Sequence, residues 1–534
     1  MTNFFLLFLL LATSLQAEPL FAPYHDNQEL NTFIEGFDSK FSSKTVLAVT
    51  HGGNKVTCIT LKSGKTKKPA ILLMGDTNPA SPVGTEILIK WLQKIAKDKK
   101  ALEELLEKQT IHLILRPFPD SVDGLFADSV RINKLNAKKV DTDSDLEMDE
   151  DGFEDLNKDG FITLMRVKDE NGTHQEHKDS PFLMVKGNNK DKPLYKVFSE
   201  GLDNDKDEKF NEDPEGGVNP NRNFSFEYPY FQKDAGPHQM SENEVKAIAD
   251  FCFNRPEIYL VFSFGEEDNL IKAWKEDQQK KKSPIRITTY KEDEVIYSLY
   301  SKKFNEAFKL KPYTTNPSNS KGSFAHWAYF HFGRISLTAI PWEIPIDKIE
   351  GKFDYKIKEI KWLQKNRPQA LVKWQKYKHP DFPDSDLEIG GIKPFYRQIP
   401  NIEVCEQRAE AFNIFLEEAS KIKPQLSVKK FSIEKLNDNL SRITLQLKNT
   451  GMAPLRSKIG QQSKKMYPLN LSLKLPEKWE LYNGHKKIQI GGLNSKEEKE
   501  VSWLVLTNNK EGKPQVSFSC PQIIDFTVSS GEIK

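Results

Sequence analysis

Apolar and polar positions follow three different rules along this chain. From about Tyr24 to Pro119, short uninterrupted apolar runs, Ala70–Met74 closed by Gly75 and Ile111–Leu115, alternate with a stretch from Gly84 to Ala96 whose apolar residues recur at helical spacing. Two further runs, Ile258–Ser263 and Ile335–Ile340, have the length and composition of buried strands. Ser241 and Glu244 have capping-box spacing and predict a helix start, with Val245, Ile248 and Cys252 on one face. Strands separated by helices predict an α/β fold, a mixed and mostly parallel sheet with helices on both faces. In such sheets the chemistry gathers in loops at the carboxyl ends of strands, here those after Met74, Phe262 and Ala339.

The stretch from about Asp141 to Asp213 is acidic and poor in apolar residues, and reads as an insertion. After about Gln425 the pattern becomes short alternating segments, Ser441–Asn449, Tyr467–Leu475 and Lys499–Leu506, separated by turn residues such as Asn449-Thr450-Gly451. That pattern predicts an all-β, immunoglobulin-like sandwich. The expected organisation is a leader over 1–17, an α/β domain over 20–425 and a sandwich over 426–534.

The 534 residues carry a net charge of +2, an even balance that gives no electrostatic footprint for nucleic acid. The leader is expected from an apolar core, Phe4–Ala12, followed by small residues up to Ala17. That core falls short of the ~20 residues a spanning helix needs, so export rather than anchoring is expected, to a periplasmic or extracellular compartment. No later segment is apolar enough to span. Cys58, Cys252, Cys405 and Cys520 are widely separated and form no CxxC pair, leaving disulfides and buried free thiols both open.

Three acidic loops place oxygen donors at alternate positions: Asp141, Asp143 and Asp145; Asp155, Asn157 and Asp159, followed by Gly160; and Asp203, Asp205 and Asp207. Carboxylates at i, i+2 and i+4 of a tight turn converge on one point and favour a hard cation, so structural calcium is expected, with a solvated acidic linker as the alternative. None of the loops has the bidentate glutamate at position twelve of a full EF-hand.

Five phrases carry a resemblance: Gly217-VNPNRNF, Ala235-GPHQMSENEVKAIADF, Gly322-SFAHWAYFHFG, Asp151-GFEDLNKDGFITLMRV and His379-PDFPDSDLEIGG. Together they resemble the zinc carboxypeptidases of the carboxypeptidase A/B type, and within these a bacterial secreted subgroup with an acidic insertion and a C-terminal β-sandwich. The resemblance implies a metallopeptidase scaffold. It also implies where a zinc site should be, and there the chain departs from the pattern. The family frame G-x-x-H-G-x-E-P-V-G reads here Gly75-DTNPASPV-Gly84, with Asn78 in place of the histidine and Ser81 in place of the glutamate. The third ligand, from a phrase like H-S-Y-G, is replaced by Phe262, and the catalytic glutamate by Ile340.

An amide, a hydroxyl and a phenyl ring do not form a zinc site, which needs imidazole, carboxylate or thiolate. Without metal a water nucleophile keeps its pKa far above neutral, and losing a general base alone costs about 10²–10⁴-fold. Zinc is therefore not expected, nor is catalysis. Asp76, Glu266, Glu267 and Glu343 lie near the lost positions, and His174, His177, His326 and His331 are the histidines considered for a rebuilt site. Their spacing suggests no convergence.

By resemblance, Asn221 and Arg222 correspond to the pair that holds a substrate's terminal carboxylate, and Arg131 to a further substrate-binding arginine. Arg222 could equally pair with an internal acid. Three functions stand side by side: a pseudopeptidase binding peptides or peptidoglycan-like stems by a free carboxylate; a metallocarboxypeptidase with a non-standard site; and a calcium-stabilised structural or adhesive protein of the cell envelope.

Overall fold

The computed structural model describes residues 21–141, 146, 148–149, 151–187, 193–204, 206, 210–211, 216–309, 321–346 and 353–531. The proposed leader and four of the acidic-loop residues, Asp143, Asp145, Asp205 and Asp207, lie outside them.

The apolar runs form a six-stranded sheet in the order β1-β2-β4-β3-β5-β6. Its strands are β1 (Ser42–Val49), β2 (Lys55–Leu61), β3 (Ala70–Asp76), β4 (Thr110–Ile114), β5 (Ile258–Phe264) and β6 (Ile335–Ala339). The pairs β1–β2 and β2–β4 are antiparallel, whereas β4, β3, β5 and β6 run parallel. Every residue of β3, β5 and β6 is buried, the signature of strands covered on both faces. Among the helices are α1 (Asn27–Gly36), α2 (Val83–Lys97), α3 (Asn243–Phe253), α4 (Lys291–Phe308), α5 (Phe324–Phe330) and α6 (Ile402–Ala419). Helix α6 packs on α2 and α4, and α3 on β1. The expected α/β architecture is present.

Two local expectations need correction. Strands β3 and β5 run two residues past Met74 and Phe262, so Phe262 lies inside a strand rather than at its end. The capping box at Ser241 does not form: α3 starts at Asn243 without a side-chain cap, and the Ser241 hydroxyl donates to buried Glu242 at 2.6 Å. Glu244 turns inward instead, where it accepts a 3.2 Å bond from Asn136. A buried acid with a specific donor outcompetes a cap that would face water.

The insertion is more than an acidic linker. Leu164–Lys168, His174–His177, Ser180–Lys186 and Tyr195–Ser199 join Leu371–Tyr377 and Leu387–Ile392 in a second six-stranded sheet. Its small core is built on Met165, Val167, Leu387 and Ile389. The partners are remote in sequence, and neither half buries enough alone to announce itself.

Residues 426–529 form two four-stranded antiparallel sheets around Ile443, Leu445, Leu447, Leu471, Trp503 and Phe518. This is the predicted sandwich. It is joined to the α/β domain by Asp293 of α4, which accepts the amide N–H groups of Lys458 and Ile459 at 2.7 and 3.0 Å. All four cysteines are buried free thiols. Among the described residues no helix is long and apolar enough to cross a membrane.

Candidate functional site

The carboxyl ends of β3, β5 and β6 bring Asn78, Ser81, Phe262 and Ile340, the positions that the resemblance assigns to zinc and catalysis, into one region of the fold. After β3 the chain is held down by Thr77, whose N–H and hydroxyl both donate to the Phe264 carbonyl at 2.7 and 3.0 Å. Asn78 is half-buried, its carbonyl accepts the Ser81 N–H at 3.1 Å, and its Oδ1 has no partner. Ser81 is buried, and its hydroxyl oxygen accepts the Val83 N–H at 3.3 Å, supporting the first turn of α2. The acid of this loop is Asp76, which accepts the Thr85 N–H at 2.8 Å. Burial pushes its pKa up to about 7, against the lowering pull of the Thr85 amide, Ser81, Gly84 and Arg116. Only a glycine fits at Gly84, where a Cβ would lie 2.5 Å from the Phe264 Cβ.

Phe262 and Phe264 are two apart on β5 and so share a face. Their rings meet edge to face at 4.9 Å, and both reach Phe412 of α6, at 5.0 and 5.8 Å. Phe262 is 1% exposed and also contacts Phe415. The position that the resemblance assigns to a metal ligand is thus part of the aromatic core between sheet and helix. Ile340 follows β6 directly and is half-buried. The outer edge of β6 is closed by Asn269, which accepts from the Thr338 N–H at 2.9 Å and donates to the Ser336 carbonyl at 2.8 Å.

Two of the acids considered for a rebuilt centre, Glu266 and Glu267, and the neighbouring Asp268 are committed locally. Glu266 pairs with Lys134, and Glu267 with His326 Nδ1 at 2.9 Å. Asp268 accepts N–H bonds from Leu270 and Ile271 at 3.0 and 2.6 Å, and burial pushes its pKa up to about 6. His331 bonds Ser225 at 2.8 Å, and His174 bonds Thr173 at 3.0 Å, far away in the second sheet. Among the described residues no three His, Cys, Asp or Glu are grouped so as to hold a metal ion. The donor set at Asn78, Ser81 and Phe262 does not fit zinc, because it offers one weak amide oxygen, one engaged hydroxyl and a hydrocarbon ring.

The second corner is the Asn219–Arg222 turn. Asn221 is buried and its Oδ1 accepts the Phe324 N–H at 3.0 Å, tying this turn to the start of α5. Arg222 donates from Nη1 to Asp234 at 2.7 Å, while its buried Nε finds no partner. Arg131 is placed by its backbone, whose N–H donates to the Gly124 carbonyl at 2.9 Å. Asp234 was not singled out in the sequence; twelve residues separate it from Arg222 and no motif links them.

In the acidic insertion, Asp155, Asn157 and Asp159 turn their oxygens onto the loop's own backbone. Asp155 accepts from Asp159 and Gly160 at 3.1 and 2.7 Å, Asn157 from Asp159 at 2.9 Å, and Asp159 from Phe161 at 3.0 Å. Buried Glu200 bridges the same loop, accepting the Leu156, Asn157 and Thr163 N–H groups at 3.0, 3.2 and 2.9 Å. Asp141 and Asp203 are described but lie in the flanking loops, Asp203 donating its N–H to Asp381 at 3.1 Å.

With this geometry in hand, comparison with known proteins agrees with the motifs. Residues 155–351 match the family model for zinc carboxypeptidase, a stretch that contains Phe262, Ile340 and the Asn221–Arg222 pair. Residues 425–529 match a domain of unknown function, DUF8731. No curated protein matches the sequence. Among solved structures, bovine thrombin-activatable fibrinolysis inhibitor in complex with tick carboxypeptidase inhibitor is similar over 74% of this chain and 96% of that one, at 11% identity and a TM-score of 0.41. Carboxypeptidase A from Helicoverpa armigera is similar over 74% of both chains, at 10% identity and TM-score 0.40. A metallo-carboxypeptidase from Burkholderia cenocepacia is similar over 74% of this chain and 70% of that one, at 12% identity and TM-score 0.37. At such distances no residue role is carried across from them.

Proposed function

We propose that this is an exported, carboxypeptidase-like protein that does not hydrolyse peptides and acts by binding them through a free C-terminal carboxylate. The observation that carries the first half is the state of Phe262: a would-be ligand position 1% exposed and packed on Phe412 and Phe415 cannot present a donor to a metal. Ser81 and Ile340 remove the carboxylates the chemistry needs. For the second half the support is Arg222, whose guanidinium pairs with a single, partly exposed carboxylate of the chain. One such contact gives about 1.5–3 kcal/mol, and millimolar binding needs about 4.1, so a ligand must also meet apolar surface.

Metal analysis of the purified mature protein, with hydrolysis assays on peptides ending in apolar and basic residues, tests this reading. We expect no stoichiometric zinc and no EDTA-sensitive hydrolysis; one tightly held zinc per chain would sink it. Calcium is proposed as a structural ion of the acidic loops, where Asp155, Asn157 and Asp159 supply oxygens in a tight turn. A melting temperature unchanged between millimolar calcium and EDTA rejects that role.

A second reading, a scaffold with no ligand at this corner, is favoured by one observation: Asn221 and Arg222 are both already bonded within the chain. Equal affinity for free-acid and amidated peptides would select it.

A further inference from the structure

We propose that the free edge of β1 docks an extended peptide, which joins the six-stranded sheet as an added strand with apolar side chains on one face and an acidic one on the other. This surface is independent of the Arg222 corner.

The two edges of the sheet are finished differently. At β6 the Asn269 side chain takes up the Thr338 N–H and the Ser336 carbonyl, so that edge is closed. Strand β1 pairs with β2 on one side and, among the described residues, with no strand on the other. It contains no proline and a single lysine, and its Thr45, Val46, Leu47 and Val49 favour extended backbone. A bare edge of this kind offers its outward N–H and C=O groups to an incoming strand.

The register fixes what each face of that strand meets. Directly opposed residues of an antiparallel pair share a face. Val46 opposes Thr57, and the bulge at Leu47 brings Val49 opposite Lys55. Val46 and Val49 therefore lie on one face, and each is 51% exposed. The other face belongs to α3, whose Phe251 ring meets His112 at 5.2 Å, and His112 opposes Thr60 on the side of Val56 and Cys58. The Asn243 side chain donates to the Val49 carbonyl at 3.4 Å, so α3 starts at the carboxyl end of β1. Asn243, Lys246, Asp250 and Asn254, at helical spacing, wall a groove along Val46–Val49. A strand in this groove turns alternate side chains towards the valines and the others towards a polar helix flank.

Charge and space choose the occupant. Lys246 and Asp250 neutralise each other within α3. Arg255, which also lines the groove, stands over the Phe251 ring at 5.1 Å and pairs with no carboxylate among the described residues. It suits an acidic side chain on the helix-facing side of the guest. A second copy of the chain does not fit. Helix α3 packs on β1 itself, so pairing β1 with its copy about a two-fold axis sets two α3 helices about 4.8 Å apart, where helices need about 8–10 Å. A peptide that brings no helix of its own avoids that clash.

The test uses fluorescein-labelled Thr-Val-Glu-Val-Glu-Val-Thr with an amidated end, its Lys-for-Glu analogue and the scramble Thr-Val-Val-Glu-Glu-Val-Thr, read by fluorescence polarisation on the full chain. Two further versions are N-methylated, one at the valines and one at the glutamates, because only one of these sets of amides can face β1. For wild type we expect saturable binding of the Glu peptide below about 1 mM, about tenfold tighter than the Lys analogue or the scramble. One methylated version should lose at least about tenfold in affinity while the other stays within about twofold. Val46→Ser with Val49→Ser should weaken the Glu peptide about tenfold. Arg255→Ala should remove the preference for Glu over Lys, and Arg222→Ala should change nothing. A circular-dichroism melt of each variant serves as the folding check. No saturable binding of the Glu peptide, equal behaviour of the two methylated versions, or full affinity in the valine variant overturns the proposal. A Glu preference that survives Arg255→Ala overturns the charge assignment. A wild-type dimer in analytical ultracentrifugation that the valine variant dissociates gives the edge to a second copy and also overturns the proposal.

Discussion

Two corners of this molecule, both singled out by the resemblance, are built in opposite ways. At the Asn78–Ser81–Phe262 corner the side chains belong to the fold: Phe262 to the aromatic core, Ser81 to the start of α2. At the Asn221–Arg222 corner Asn221 supports α5, but the Arg222 side chain makes a partly exposed pair with Asp234. The lesson is energetic. The first corner has become part of what stabilises the fold, whereas Arg222 is only lightly committed to it.

The widest separation between the corners should come from Phe262→Ala. Removing a fully buried ring between β5 and α6 should cost about 3–5 kcal/mol in chemical denaturation. A loss below about 1 kcal/mol would show that the ring is not part of the core. Next comes the pH dependence of Asp76. Its folded-state pKa is raised from 3.8 to about 7 by burial, so the folded protein holds the proton more tightly. The contribution to stability is therefore fully present below the unfolded pKa and declines as pH rises towards 7, with a slope of up to about 1.4 kcal/mol per unit. Asp76→Asn should flatten that slope in denaturation curves taken between pH 4 and 7, and an unchanged slope would locate the titration elsewhere. Smaller again is Ser81→Ala, which removes the hydroxyl that accepts the Val83 N–H and should cost about 1 kcal/mol. Smallest is Arg222→Ala, expected to change stability by less than about 1 kcal/mol because its pair with Asp234 is partly exposed. A loss of 3 kcal/mol there would erase the contrast and make Arg222 as structural as Phe262.

Much of this could be read from the chain before any coordinates. The runs at Ala70–Met74, Ile111–Ile114, Ile258–Ser263 and Ile335–Ala339 are strands because continuous apolar segments of that length bury both faces. Ser441–Asn449 alternates inward and outward along its strand, as a sandwich strand must. The second sheet was hidden, since Leu164–Lys168 pairs with Leu387–Ile392 across more than two hundred residues of chain and depends on that pairing for its core. The capping box at Ser241 misled for a related reason: its two polar residues had better partners in the buried Glu242 and Asn136.

By itself, then, the sequence determined the α/β scaffold and the sandwich, because periodicity is a local property. Only the tertiary structure decided that Phe262 faces Phe412 and Phe415, that Arg222 rests on Asp234, and that Tyr230 and Phe231 are exposed. Those facts depend on which surfaces meet when distant segments pack, and no local pattern in the chain encodes them.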